Sequence, residues 1–263
     1  MTPDTLDHYL RDLEASDAFS GVVLVTVADE ERFAAACGLA SGEELFIPMV
    51  AQRQGQDGAW WNTEVWISNP TVNTGSYAAV FLPVGQPNLE GLRADPAPED
   101  LPPGATIYRN DLVPEGGMGV LRFITTPGVV VFGRVFNAAG RGSFGQGMPA
   151  MPRSAATRPG EIVQLVGLRR TPAFRTNISL FNPSAESGVV HVRLYLQRGD
   201  VAGEESYRLA PGGYLQLEDA LHALGVPRGE HVRAELTGTV PFFSFATVID
   251  ARSGAPTLVP ATR

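Results

Sequence analysis

The stretch WWNTEVWISNP, residues 60–70, comes back as AFRTNISLFNP at residues 173–183. Trp61 meets Phe174, Thr63 meets Thr176, Val65 meets Ile178 and Ile67 meets Leu180, at a constant offset of 113 positions. Both copies end on Asn-Pro (69–70 and 182–183). There the asparagine amide can bond nearby backbone while proline fixes φ, so the pair closes a strand with a turn. Side chains alternate across a strand. Glu64, Ser68, Asn177 and Ser179 share one phase, so the opposite phase, with Val65, Ile67, Ile178 and Leu180, is the predicted core face.

The offset extends outward from this strand. Tyr77, Ala79 and Phe81 match Val190, Val192 and Leu194; His191 and Arg193 mark a wet face and put Tyr77, Phe81, Val190 and Leu194 inside. After a loop difference LPPGATIYRNDL (101–112) matches LAPGGYLQLEDA (209–220), and PGVVVFGRVFNA runs against VPFFSFATVIDA with Asn137 opposite Asp250. Both copies finish on Pro-Ala, at 149–150 and 260–261. The predicted fold is therefore mainly β: two tandem immunoglobulin-like β-sandwiches over residues 45–152 and 160–263, joined through RSAATRPGE. The last strand of each copy is apolar on both phases, which leaves its orientation open and allows one face to lie against the neighbouring unit. A short helix at LEDALHALG stops at Gly225.

Bulk composition narrows the function classes. With 44% hydrophobic and 18% charged residues the chain has a core to build. A net charge of −8, carried against arginine alone with no lysine, offers no basic patch for nucleic acid or anionic lipid. One cysteine, Cys37, excludes an internal disulfide framework, and its setting in FAAACGLA reads as a small buried hydrophobe. No stretch reaches the length of a membrane span. The opening MTPDTLDHYLRDLEASD is acidic where an export signal would be basic and then apolar, so no export signal is expected.

The tandem resembles a double module found in secreted and surface proteins of soil bacteria, placed after a signal peptide or behind a catalytic domain. IPMVAQ (47–52) and WNTEVWISNP (61–70) carry the likeness in the first copy; LVGLRRTPAFRTNISLFNP (165–183) and LAPGGYLQL (209–217) carry it in the second. The resemblance implies an accessory or scaffold part and brings no catalytic residue with it.

Residues 1–43 differ in kind. Leu6, Leu10 and Leu13 share one helical face behind Thr2-Pro3, and FSGVVLVTVADEERFAAACGLASGE reads as a hairpin turning at Ala28-Asp29-Glu30. This segment resembles the opening of serine hydrolases of the β-lactamase and penicillin-binding-protein class. Their chemistry lies in a later Ser-x-x-Lys, which a chain without lysine does not contain. A truncated or fused hydrolase, catalytically dead as written, is the alternative to a non-catalytic scaffold or binding module. Covalent labelling by a fluorophosphonate or a penicillin separates the two.

Other motifs read as structure. GRGSFG (140–145) has the Gly-x-Gly-x-x-Gly spacing, but the QGMPAMPRSAATRPG that follows cannot form the helix a dinucleotide needs, so it reads as a hairpin. Ser143 lacks the preceding glycine of a nucleophile elbow. His8, His191, His222 and His231 never fall at metal-ligand spacing, and neither metal nor cofactor is expected. RGD (198–200) is a turn tripeptide, and the acids of RADPAPEDLPP (93–103) read as a solvated loop.

The candidate binding residues are Trp60, Glu64 and Trp66. Two tryptophans share the outward phase with Glu64, where the second copy has Ala173, Asn177 and Ser179. Indoles on a wet sheet face call for a partner. Three occupants fit: a protein surface, a polysaccharide stacked on the rings, or the chain's own residues 1–43 laid over them. Fluorescence after deletion of 1–43 tells the last from the others.

Overall fold

The computed structural model describes residues 21–27, 30–37, 42–55, 58–139 and 142–263, with the backbone alone for the first two segments. Strands β1 (Gly21–Val27) and β2 (Glu30–Cys37) pair antiparallel, with Val27 opposite Glu30, as the hairpin reading requires. The helix expected around Leu6–Leu13 and the Cys37 side chain lie outside the described residues.

Eight strands follow: β3 (Glu43–Gln54), β4 (Trp60–Ser68), β5 (Gly75–Pro83), β6 (Glu99–Leu101), β7 (Thr106–Arg109), β8 (Gly117–Thr125), β9 (Val130–Ala139) and β10 (Gly142–Pro149). They pair in the orders β3-β8-β5-β6 and β7-β4-β9-β10, and β3 also touches β4 at its far end. After the short β11 (Met151–Pro152) come β12 (Ile162–Arg170), β13 (Phe174–Phe181), β14 (Gly188–Tyr195), β15 (Val201–Leu209), β16 (Tyr214–Leu217), β17 (Gly229–Gly238), β18 (Phe243–Asp250) and β19 (Pro256–Pro260). Their orders are β12-β17-β14-β15 and β16-β13-β18-β19. Adding nine to each strand number of the first set gives the second. Counted within either set, the second strand pairs with the fifth and the third with the sixth, as in an immunoglobulin sandwich. The first strand, however, lies beside the sixth and the seventh beside the second.

The cores sit between the paired sheets. Val65, Ile67, Tyr77, Leu121 and Phe123 share one buried cluster, and Ile178, Leu180, Val190, Leu194 and Leu236 share the other. The predicted core faces of β4, β13 and β14 hold, but Ser179, read as outward, is buried because the seam covers the second face of β13; Phe81 is only half-buried, its ring beside Gly117 at the sheet end. The first strand of each set breaks register midway, at Pro48 and at Gly167. Proline has no N–H to give the ladder, and Gly167 takes φ 88° without the steric cost a side chain would bring. Beyond the break Thr63 ties β4 to Ala51, its hydroxyl accepting at 2.9 Å and donating at 2.8 Å. Thr176 does the same with Arg169 at 3.2 and 2.7 Å.

The Asn-Pro turns are clamps. Asn182, fully buried, donates to the carbonyls of Glu186 (2.7 Å) and Ala210 (3.0 Å) and accepts from the Ser184 N–H (2.9 Å) and hydroxyl (2.7 Å). Asn69 repeats the pattern with Asn73, Leu101 and Thr71. Among the described residues, two short α-helices complete the fold. The expected one is α2 (Ala220–Ala223), closed by Gly225 at φ 85°; α1 (Leu89–Arg93) was not foreseen.

The outer face of β18 settles where that strand points: Phe243 and Phe245 belong to the first buried cluster, Phe242 and Ala246 to the second. Phe46 of β3 meets Phe181 and Phe243, with ring centroids 5.2 and 6.0 Å apart. The joint is docked as well. Ala156 is buried, Thr157 pairs with Phe242, and Arg153 bonds both Glu44 and the Pro183 carbonyl with its guanidinium 5.5 Å from the Phe46 ring. Burial alone would raise the Glu44 pKa, but hydrogen bonds from Arg153 and Arg122 outweigh it and hold the carboxyl below its usual value. A carboxylate depressed in the folded state contributes stability that is full above its unfolded pKa and is lost as pH falls through the folded one. Acidification from about pH 7 to about pH 3 should therefore cost the wild type more than Glu44→Gln. Equal pH slopes in denaturant titrations of the two proteins would refute this. Arg122 is itself buried, so Glu44→Gln should already be less stable at neutral pH.

Candidate functional site

The outer face of β10-β9-β4-β7 is built by register. Trp66 stands opposite Phe132 on one side and Tyr108 on the other, and Glu64 stands opposite Arg134. Rings therefore flank a polar centre. Trp66 lies 5.7 Å from Tyr108 and 6.2 Å from Phe132, with interplanar angles of 59° and 45°. Glu64 takes the Arg134 guanidinium at 3.4 Å and the Tyr108 hydroxyl at 3.2 Å. Arg134 also donates to the Ser143 hydroxyl at 2.6 Å and sits 4.6 Å over the Phe136 ring. Desolvation, then the Glu64 charge, push the Tyr108 hydroxyl above its ordinary pKa, so it stays a neutral donor.

Glycine makes room for this surface. A Cβ on Gly147 would stand 2.4 Å from the Phe132 ring, and one on Gly145 would stand 2.5 Å from the Phe136 Cβ. The Gly-x-Gly-x-x-Gly stretch thus ends in the β9–β10 hairpin, where Gly145 and Gly147 on the edge strand let the rings of the neighbouring strand lie across it.

The face is open. Trp60 is 39% exposed, Tyr108 48% and Phe132 41%, with Trp66, Glu64, Arg134 and Phe136 half-buried. The structure places all three sequence-predicted residues on it. Glu64 and Trp66 sit in the central cluster; Trp60 lies further along β4, opposite Gln54, with no ring partner among the described residues. Tyr108, Phe132, Arg134 and Phe136 were missed. Strand β9 is apolar on both phases, and only the register against β4 sorts its residues. Most of residues 1–43, the proposed internal cover, lie outside the described residues.

Chemically this face holds a carboxylate, a guanidinium and hydroxyls already bonded to one another. Elsewhere, among the described residues, no group of three or more His, Cys, Asp or Glu side chains is placed to hold a metal. No described helix is long and apolar enough to cross a membrane. His191 bonds Ser206 on an exposed strand face, and Glu99 from the acidic loop is paired with Arg109.

No protein-family model and no curated protein matches the chain. Among solved structures, one of infectious bursal disease virus, Gx strain, aligns at 10% identity over 92% of this chain and 69% of its own, with a TM-score of 0.20. A Bacteroides uniformis β-glucuronidase aligns at 8% identity over 76% of this chain and 24% of its own, with a TM-score of 0.18. Superpositions this loose carry no inference about fold family or function.

Proposed function

We propose that this chain is a non-catalytic contact module of two like sandwiches, docking on a protein surface through the aromatic face of the first. One observation carries the reading. At the 113-residue offset Phe132, Arg134 and Phe136 correspond to Phe245, Thr247 and Ile249, and Phe245 is buried against the first sandwich. The same sheet face is thus an inter-module contact in the second unit and, among the described residues, uncovered in the first. The rings also favour protein over sugar. Trp66, Tyr108 and Phe132 tilt edge against face, whereas stacking along a glycan chain needs rings presented flat. The cell-surface setting rests on the resemblance alone.

The test is photo-crosslinking from position 106, at the rim of the face, in cells expressing the full chain. It runs beside co-sedimentation with cellulose, chitin and peptidoglycan. A discrete protein adduct that disappears in the doubly substituted Trp66→Ser, Phe132→Ser chain is expected. Retention on a polysaccharide that the same substitutions abolish would assign the face to sugar. Indifference of both measurements to the substitutions would sink the reading, and covalent labelling of any serine by a fluorophosphonate would overturn its non-catalytic part.

A further inference from the structure

Strand β4 has a second side. Where the sandwiches meet, the Phe46, Phe181 and Phe243 rings close one part of the seam, and beside them it opens into a cleft of about 300 Å³. Trp61, Met118 and Gln146 of the first unit line it together with Asn177, Gln216 and Thr247 of the second. We infer that this cleft binds a neutral polyhydroxylated ligand, a mono- or disaccharide.

The amides define the chemistry. Gln146 is 6% exposed; its Nε2 donates to the Thr247 hydroxyl at 3.2 Å, while its Oε1, wholly buried, has no donor. Turned toward the cleft, that oxygen accepts from a hydroxyl and not from a carboxylate. The Asn177 and Gln216 oxygens each accept one bond, from the Asp219 N–H (3.0 Å) and the Tyr214 hydroxyl (3.2 Å), and their N–H₂ groups remain to donate to a ligand. The ligand must therefore donate at one point and accept at others while lying against an indole and a thioether. A sugar ring, with hydroxyls on its rim and C–H groups on its face, does both. Arg53, Arg175 and Glu218 also border the cleft, the last two with polar or charged interactions of their own. The volume lies at the lower end of small-molecule sites.

The full chain is titrated with glucose, N-acetylglucosamine, maltose and cellobiose, and with glucuronate and inorganic phosphate as anionic probes. Calorimetry and tryptophan fluorescence are followed. Saturable binding of at least one neutral sugar is expected, weakened at least tenfold in Gln146→Leu and again in Gln216→Ala. Gln146→Leu removes the unpartnered oxygen but also the partner of the buried Thr247 hydroxyl, so its urea midpoint is measured beside binding, and the loss in Gln216→Ala, which leaves that bond intact, must agree with it. Absence of saturable binding by any neutral sugar overturns the inference. So does an affinity that both substitutions leave unchanged, or tighter binding of glucuronate or phosphate than of every neutral sugar.

Discussion

Phe46→Ala should lower the free energy of unfolding by about 3–5 kcal/mol, the usual cost of emptying an aromatic site in a closed core. Phe46 is fully buried, and its ring fills the angle between Phe181 and Phe243, which themselves stack nearly parallel at 6.1 Å. All three sit at the seam and not inside one sandwich, so the effect has a second part. With the wedge removed the two cores lose their principal apolar contact, and the single denaturant transition should separate into two. An unchanged midpoint and slope in a urea titration would show that the seam contributes nothing to cooperativity.

Asn182→Asp should cost about 3 kcal/mol or more, because a carboxylate oxygen would replace the N–H₂ that now feeds two carbonyls. Neither the Glu186 nor the Ala210 carbonyl can donate in return. The variant should carry a distinctive pH response. A buried carboxyl facing carbonyls has its folded pKa raised, so protonation relieves it, and Asn182→Asp should gain stability relative to the wild type as pH falls through that pKa. Asn182→Ala should be destabilised without that response. Identical pH slopes for the two variants would show that the clamp is not what holds the turn.

These two sites show what a sequence of this kind reveals. The Asn-Pro pair announces a turn, since its local chemistry is written within a few residues. That Asn182 reaches Ala210, and Asn69 reaches Leu101, is decided by the return of a distant strand and leaves no mark beside the asparagine. Alternation gave the phases of β4 and β14 because each has one wet face to set against the dry one, and that of β13 because polar Asn177 and Ser179 mark its second face even though the seam covers Ser179 and Phe181. It failed on β9 and β18 for a single reason with opposite outcomes: the second apolar face is buried at the seam in β18 and exposed in β9. Trp61 shares the phase of Val65 and packs beside the core, but its place on the cleft depends on a unit 113 residues away. Helix α1 escaped notice because five residues with one buried leucine are too short for any period.

The seam gives the molecule a direction. Its first unit offers Phe46 as a peg, and its second offers a ringed socket. By strand register the counterpart of Phe46 in the second unit is Gln164, since Phe46 stands opposite Arg122 and Gln164 opposite Glu235. Gln164 is tied to Glu235 and Arg233 and presents no ring. A third sandwich set behind the second would find no peg, and one set ahead of the first would find Ser68 and Val130 where the second unit has Phe181 and Phe243. Peg and ringed socket are cut for this one pair, and neither unit passes the same joint on to a third.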